Sequence, residues 1–301
     1  MFDSRKTEAL LAVFDTGSFE MAARELHLTP SAVSQRISAL EQELGAPLVL
    51  RGKPCRPSAT GQRVLRYLRQ HQMLEAELRT ELFPAAEQPT RIALALNNDT
   101  LATWLLPALA GFLQREAILL DILLDDQEHT FKALEQGLAL AGVAARAQAM
   151  RGGMVQPLGR MRYHLLATPE FAARWFGAGL QRQALRQAPL LSFDRKDMLQ
   201  ADFLQQHFGL GQGSYPVHFI PASSAYFQAL RLGLGYGLIP ELQSGPLQES
   251  GLIDLAPDKT VDVMLYWHAW KLQSPRLQNL GNAILDAARR VLLPPLAQTE
   301  E

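Results

Sequence analysis

Cysteine is nearly absent from this sequence, since Cys55 is the only one among 301 residues. A single cysteine cannot form a disulfide within the chain, so a secreted fold held together by disulfides is excluded and a reducing cytoplasm fits. The best candidate for a membrane span, AILLDILL at 117–124, is interrupted by Asp121 and falls short of the roughly 18 apolar residues required. The N-terminal residues lack the basic segment and apolar run of a signal peptide. We therefore expect a cytoplasmic protein without membrane contact.

Sequence motifs of catalysis are also missing. There is no G-x-S-x-G, no H-E-x-x-H and no phosphate-binding loop, and the seven histidines are scattered without metal-ligand spacing. The glycine-rich stretches at 209–213 and 233–237 match no complete nucleotide-binding fingerprint and indicate turns. The sequence therefore predicts a protein that is not an enzyme and has no catalytic residue, metal or cofactor.

Net charge is small as well, with a formal value of −1. The distribution is uneven, because positions 24–69 hold eight basic residues against three acidic ones. A local excess of cations suits a polyanion such as DNA, although a solvated surface would explain it equally well.

Residues 28–45 read LTPSAVSQRISALEQELG and predict a helix. Thr29 can cap it, and Pro30 stands at the first helical position, where a missing N–H costs nothing. One face is apolar, at helical spacing. The other face carries small hydrogen-bonding side chains where a helix that only needed solubility would carry Glu and Lys. These polar residues are Ser31, Ser34, Gln35 and Ser38, with Arg36 beside them.

Two shorter helices are predicted before this one, at 4–15 and 19–27, with a tight connection to it. This order is typical of a helix-turn-helix. The segment RGKPCRPS at 51–58 then predicts a hairpin whose basic tip, with Arg51 and Lys53, can lie beside a duplex backbone.

A long helix is predicted from Ser58 to Phe83, which at ~1.5 Å per residue spans about 40 Å. Its apolar residues follow a roughly helical period, and a lone helix of that length needs a packing partner. A second copy of the chain is the favoured partner, and the C-terminal part of the same chain is the alternative. The apolar residues are Val64, Leu65, Leu68, Leu74, Leu78 and Leu82.

After a linker at 85–90, strands and helices alternate, which predicts a parallel-sheet α/β domain with two lobes and a cleft. Polar residues follow the strands, and strand ends that converge on one cleft are typical of ligand-binding proteins. The pair Asp99-Thr100 opens a helix whose free N–H groups can bind a carboxylate, although a plain helix cap is the alternative. The other polar residues at strand ends are Asp125, Asp126, Ser192, Asp194, Ser223 and Ser224.

The N-terminal third, LLAVFDTGSFEMAARELHLTPSAVSQRISALEQELGAPLVLR, together with Thr60-Gly61 and GLGYGLIP at 233–240, resembles the LysR-type transcriptional regulators. The resemblance implies an all-α winged helix-turn-helix at 1–58 and a long linker and dimerisation helix with a hinge at 59–89. It further implies a two-lobed α/β effector domain, similar to periplasmic binding proteins, at 90–301. NNDTLATWLLP, SFDRKDM, FLQQHFGL and MLYWHAW resemble the branch of the family that senses lysine or arginine and controls basic amino-acid export.

The resemblance also implies partners and site residues. The expected partners are double-stranded promoter DNA, lysine or arginine, a second or further copy of the chain in a homodimer or homotetramer, and possible contact with RNA polymerase at the nucleoid. The expected DNA-binding residues are Ser31, Ser34, Gln35, Arg36, Ser38, Arg51 and Lys53. The expected effector-binding residues are Asp99, Thr100, Asp125, Asp126, Ser192, Asp194, Ser223 and Ser224.

Two alternatives stay open on the residues. One is a regulator of the same family with a different small effector. The other is a cytoplasmic small-molecule binding module whose N-terminal helices only mediate assembly. The serine- and glutamine-rich helix face argues against the second.

Overall fold

The computed structural model describes residues 3–82, 89–124 and 127–295. Its N-terminal part consists of helices followed by a two-stranded antiparallel hairpin, as expected for a winged helix-turn-helix. Gly17, with φ +68°, ends the first helix, and the Ser18 hydroxyl caps the second by accepting from the N–H of Met21. The elements are α1 Ser4–Thr16, α2 Phe19–Glu25, α3 Pro30–Leu44, β1 Val49–Leu50 and β2 Arg56–Pro57.

Helix α4, Ala59–Leu82, is fixed directly to the hairpin. The Ser58 hydroxyl accepts from the N–H of Gly61 at 2.9 Å and donates to the carbonyl of Pro47 at 2.6 Å. A Cβ at position 61 would collide with the carbonyl oxygen of Leu48, so only glycine lets α4 approach β1 this closely. The β1–β2 hairpin, which is the wing of the motif, is therefore fixed to the start of α4.

Three faces of α4 have different surroundings. Leu65 and Leu68 pack into the N-terminal core, while Met73 packs into the core of the C-terminal part. Packing against the same chain is thus confirmed for part of the helix. A third stripe is between 45% and 62% exposed: Tyr67, Leu74, Leu78 and Leu82. Phe83 and most of the predicted linker at 85–90 lie outside the described residues.

The C-terminal part is built on a seven-stranded sheet with the order β10-β6-β11-β5-β3-β4, in which β9 also pairs with β6. A second sheet joins β7 and β8. The strands are β3 Thr90–Leu96, β4 Ile118–Leu124, β5 Ala141–Ala144, β6 Gly153–Ala167, β7 Leu190–Ser192, β8 Val217–Phe219, β9 Gly237–Pro240, β10 Ile253–Asp254 and β11 Val261–Trp270.

The expectation of a parallel sheet holds for β3 with β4 and β5, and for β7 with β8. It is wrong for the long strands β6 and β11, which pair antiparallel to each other and to their neighbours. These two strands run through both predicted lobes, because β11 pairs with β5 at one end while β6 pairs with β9 and β10 at the other. The sheet is therefore mixed, parallel around β3 and antiparallel around β6 and β11.

Helices cover both lobes. The helix expected to open at Asp99-Thr100 is irregular at its start, because α5 (Asn98–Thr100) continues through a π-helical turn, Leu101–Leu105, into α6 (Leu106–Arg115). Within the described ranges, no helix is both long and apolar enough to cross a lipid bilayer. The helices are α5 Asn98–Thr100, α6 Leu106–Arg115, α7 Gln127–Glu135, α8 Pro169–Phe176, α9 Arg182–Leu185, α10 Leu199–Phe208, α11 Ser223–Arg231, α12 Glu241–Ser244, α13 Leu247–Ser250 and α14 Pro275–Val291.

Candidate functional site

The outer face of α3 carries the polar residues that the sequence singled out. The Thr29 hydroxyl accepts from the N–H of Ala32 at 3.2 Å and caps the helix, while Val33, Ile37 and Leu40 are buried beneath it. Ser31 and Gln35 are exposed, and the remaining candidates on this helix are partly exposed. A helix seated on its apolar side with small polar groups outside can enter a major groove.

The β1–β2 hairpin places the cation of Arg51 beside α3. Arg51 donates from Nη2 to the hydroxyl of Ser34 at 3.3 Å, and its guanidinium lies 5.3 Å from the ring centre of Phe19. Lys53 is exposed at the tip of the hairpin. Arg36 instead reaches back to the carbonyl oxygen of Arg5, at 3.5 Å.

The acidic residues of α3 are held in internal contacts. Glu41 Oε1 accepts from the N–H of Leu48 at 2.7 Å and of Val49 at 3.2 Å, which ties the wing to the helix. Glu43 pairs with Lys6. The basic side chains of helix and wing therefore dominate the surface that a phosphate backbone would meet.

A second candidate site surrounds Asp99, directly after β3. The hydroxyl of Tyr163 on β6 donates to Asp99 Oδ2 at 2.6 Å, and the hydroxyl of Ser223 at the start of α11 donates to Oδ1 at 3.1 Å. Burial raises the pKa of Asp99, although these two hydrogen bonds oppose the shift. One carboxyl group thus joins three elements at the meeting point of the lobes.

Polar groups beside Asp99 lack partners. Thr100 is fully buried and Asn97 is 4% exposed, and neither the Thr100 hydroxyl nor Asn97 Oδ1 has a hydrogen-bond partner among the described residues. The hydroxyl of Thr103 donates to the carbonyl of Asp99 at 2.6 Å, within the π-helical turn. Buried polar groups without partners cost free energy, and π-helical turns often occur at functional sites.

The loop after β7 also reaches this region. Ser192 donates to the carbonyl of Asp194 at 3.2 Å. The carboxylate of Asp194 accepts from the N–H groups of Lys196, at 2.7 Å, and Asp197, at 3.0 Å, so it holds the turn. Burial first, and then the nearby carboxylates of Asp99 and Asp194, raise the pKa of Asp197.

Of the residues that the sequence predicted to bind the effector, some lie at the Asp99 site and others do not. Ser223 joins the site, whereas the neighbouring Ser224 is exposed. Asp125 and Asp126 lie outside the described residues. Sequence reasoning does not indicate Asp197 or Tyr163, because it selects polar residues directly after strands. Asp197 stands beyond a turn, and Tyr163 lies inside strand β6.

The glycine-rich stretch at 233–237 forms a turn, as expected. A Cβ at Gly237 would collide with the hydroxyl of Tyr226, which donates to the carbonyl of Leu191 at 3.1 Å. This glycine is therefore required for packing, and nothing in its surroundings indicates a nucleotide. No cluster of metal-ligating side chains occurs in the described parts of the chain.

A winged helix-turn-helix joined to a two-lobed domain with a polar cleft defines a class, the one-component transcriptional regulators that bind both DNA and a small molecule. Residues 4–62 match the sequence model for the bacterial regulatory helix-turn-helix protein, lysR family. Residues 85–289 match the model for the LysR substrate binding domain. The chain belongs to the LysR family of transcriptional regulators.

Similar proteins include curated relatives and solved structures that cover nearly the whole chain. It is 41% identical over 288 residues to the HTH-type transcriptional regulator ArgP of Aeromonas salmonicida, covering 95% of this chain and 96% of the relative. It superimposes on the crystal structure of ArgP from Mycobacterium tuberculosis with a TM-score of 0.82 at 37% identity, covering 98% and 100% of the two chains. Full-length LysG from Corynebacterium glutamicum with bound effector Arg gives a TM-score of 0.75 at 32% identity, covering 97% and 100%.

Proposed function

We propose that this LysR-type regulator binds promoter DNA through α3 and the hairpin and that lysine or arginine, bound around Asp99, changes this binding. The observation that carries the proposal is the set of buried polar groups between the lobes. A carboxyl group, a hydroxyl and an amide oxygen meet there, and no cation pairs with Asp99 among the described residues. The structural similarity to LysG, solved with bound arginine, supports the same ligand class.

The α-carboxylate of the effector is assigned to the N–H groups at Asp99-Thr100, together with the unpaired Thr100 hydroxyl. The α-ammonium is assigned to Asp99. Ser223 and Tyr163 orient the Asp99 carboxyl, and Ser192 lies at the edge of the site. Asp194 is less suited to contact the ligand, because two backbone N–H groups already occupy its Oδ1.

DNA recognition is assigned to the outer face of α3, with phosphate contacts from the wing. Ser34, Gln35 and Ser38 can bond base edges, and Arg51 and Lys53 are placed to contact the backbone. Ser31 and Arg36 flank this surface. In this division residues 1–58 bind DNA, residues 59–89 link and dimerise, and residues 90–301 bind the effector.

The exposed stripe on α4 supports a homodimer, in which the helices of two copies cover each other. Two dimers could then form a homotetramer on DNA. The branch of the family that this sequence resembles supports a basic amino-acid exporter gene as the target, contact with RNA polymerase and a place at the nucleoid.

Calorimetry of the full chain with lysine, arginine, glutamate and leucine tests the effector. The full chain is required, because Met73 of α4 belongs to the core of the effector domain. We expect saturable binding of lysine or arginine. Preferential binding of glutamate or leucine would overturn the proposed effector and leave the family assignment intact.

A further inference from the structure

We propose that Asp197, which lies close to Asp99 across the cleft, binds the side-chain cation of the effector and thereby sets the preference for basic amino acids. The inference rests on the proposed function, since it assigns one more contact in the same cleft. It concerns a residue on the second lobe, in the loop between β7 and α10.

The position of Asp197 is fixed by the backbone. Its own N–H donates to Asp194, and its Oδ1 accepts from the N–H of Leu199 at 3.1 Å. A carboxylate has about four lone-pair sites, so this bond leaves acceptor capacity for a ligand. The side chain is thus rigidly placed and still able to bind.

After burial, the groups that raise the pKa of Asp197 are the carboxylates of Asp99 and Asp194. The loop that carries Asp197 lies beside α11, because the ring of Phe193 stacks on that of Tyr226 at 5.6 Å, and Ser223 on the same helix donates to Asp99. No ion pair among the residues that the structure describes includes Asp197 or Asp99. Two carboxyl groups are therefore held near each other and partly away from water, with raised pKa values and without an ion-pair partner among the described residues.

An independent feature shows that this cleft is incomplete. The unpaired Thr100 hydroxyl and Asn97 oxygen, both at least nine-tenths buried, lie at the adjacent end of β3. They supply polar groups for the backbone end of an amino acid, while the two carboxyls can take its two cations. A neutral amino acid would pair with one carboxyl and leave the other without a partner, which is costly in a buried site.

The test compares arginine with citrulline, which has nearly the same shape but no side-chain charge. Calorimetry of the full chain should show that the parent binds arginine about 10- to 100-fold more tightly than citrulline, as expected for a charge-assisted hydrogen bond. In Asp197→Asn, the amide oxygen keeps the bond from Leu199, and the ratio should fall to about threefold or less. Asp202→Asn removes an exposed carboxyl on the helix that follows this loop, α10, and should keep the parental ratio.

Thermal unfolding without ligand separates a binding role from a structural one. Because burial and Asp99 disfavour the charge on Asp197, Asp197→Asn should unfold at the parental temperature or above it at neutral pH. A residue that only supported the fold would instead lower it. Asp197→Ser, whose hydroxyl can accept the same backbone bond, provides a second neutral variant and should show the same loss of preference.

An unchanged arginine-to-citrulline ratio in both variants would overturn the role of Asp197 while leaving the proposed function standing. A parent chain that binds neither arginine nor lysine would overturn the proposed function itself. Reduced preference with unchanged or increased thermal stability supports the inference.

Discussion

The polar side chains of α3 face solvent, whereas those around Asp99 are buried. On α3, exposed Gln35 can bond outward groups, partly exposed Ser34 accepts from Arg51, and Glu41 is engaged by the wing. In the cleft, Asp99 accepts two hydrogen bonds from the protein, and the Thr100 hydroxyl has no partner among the described residues. The exposed groups on α3 suit a large partner with a hydrated surface, such as DNA. The buried groups in the cleft suit a small ligand that replaces water.

Substitution of Gln35 by alanine tests base recognition. We expect a loss of about 1–3 kcal/mol at the specific site and little change at random DNA, because one bidentate side chain reads one base. Fluorescence anisotropy with both DNAs measures this. Arg51→Ala is the comparison: it should weaken both complexes alike and reduce the salt slope by about one. Unchanged specific binding by Gln35→Ala would show that α3 is not the reading helix.

The affinity for arginine should depend on pH through Asp99. Its pKa is raised by burial, so the ionised form that pairs with an ammonium is reached only at a higher pH than for an ordinary aspartate. Calorimetry over a range that starts at the ordinary pKa of an aspartate and extends upward should show affinity falling as the pH drops, by up to about tenfold per unit below the raised pKa. Asp197 and Tyr163 face the same carboxyl, so the titration belongs to the cluster. Affinity that is flat across this range contradicts the assignment of Asp99.

The stability of the ligand-free chain should vary with pH in the opposite sense. The pKa of Asp99 is higher in the folded chain than in the unfolded one, so protonation of this group stabilises the fold at low pH. That contribution is lost as the pH rises through the folded pKa. A bound cation should remove much of this loss, and thermal unfolding with and without arginine measures it. Equal pH slopes in both states would disagree with the assignment.

Single residues of the site were predictable to different degrees. Asp99, Thr100 and Ser223 stand where strands end and helices begin, so the strand pattern makes them candidates, and the resemblance to the family favours a ligand contact over a plain helix cap. Asp197 and Tyr163 reach the same cleft only because β6 and the β7–α10 loop fold across it. That convergence depends on how the lobes pack, and no local pattern in the sequence encodes it.

At the level of elements, the single helix α4 contacts two different cores and also exposes an apolar stripe to solvent. Its apolar residues divide among the N-terminal core, the effector-domain core and solvent. The sequence showed a helical period without showing that Leu68 faces inward, since a periodic stripe does not state which neighbour covers it. Strand β6 is 15 residues long and passes through both lobes, which the alternation of strands and helices in the sequence does not show. The π-helical turn at 101–105 was likewise not visible in the sequence.

The exposed stripe of α4 provides a test of assembly. Leu74 and Leu78 are 45% and 54% exposed, so replacing both with glutamate should leave the fold intact and place charges where a second helix would pack. Light scattering should then report a monomer, with weaker binding to DNA. Gln72→Glu adds a charge on another exposed part of the helix and should remain dimeric. A dimeric mass for the double variant would exclude this stripe as the interface.

For the whole molecule, the two functional parts are in direct contact. Arg66 on α4 lies over the ring of Trp270 at 4.3 Å, and Leu138 of the effector domain packs against the N-terminal core. Gly137 approaches the backbone of Arg66 so closely that a Cβ would lie 3.2 Å from its nitrogen. A change in the effector domain can therefore reach the helix that carries the DNA-binding domain.

Removing this contact should separate the two activities. Arg66→Ala deletes a cation–π interaction worth roughly 0.5–2 kcal/mol without touching the cleft. Arginine affinity should stay within about twofold of the parent, since separate sites without shared partners affect each other by less than ~0.5 kcal/mol. The difference in DNA affinity between arginine-bound and free protein should shrink. An unchanged difference would indicate that the signal passes elsewhere.

The central claim is that one chain couples DNA binding to a basic amino acid. The direct measurement is the affinity and footprint of the full-length protein on operator DNA, selected from a random pool, with arginine, lysine, glutamate or leucine at saturating concentration. The account predicts that arginine or lysine changes the affinity or the length of the footprint, whereas glutamate and leucine do not. The same affinity and the same footprint in all conditions would contradict it.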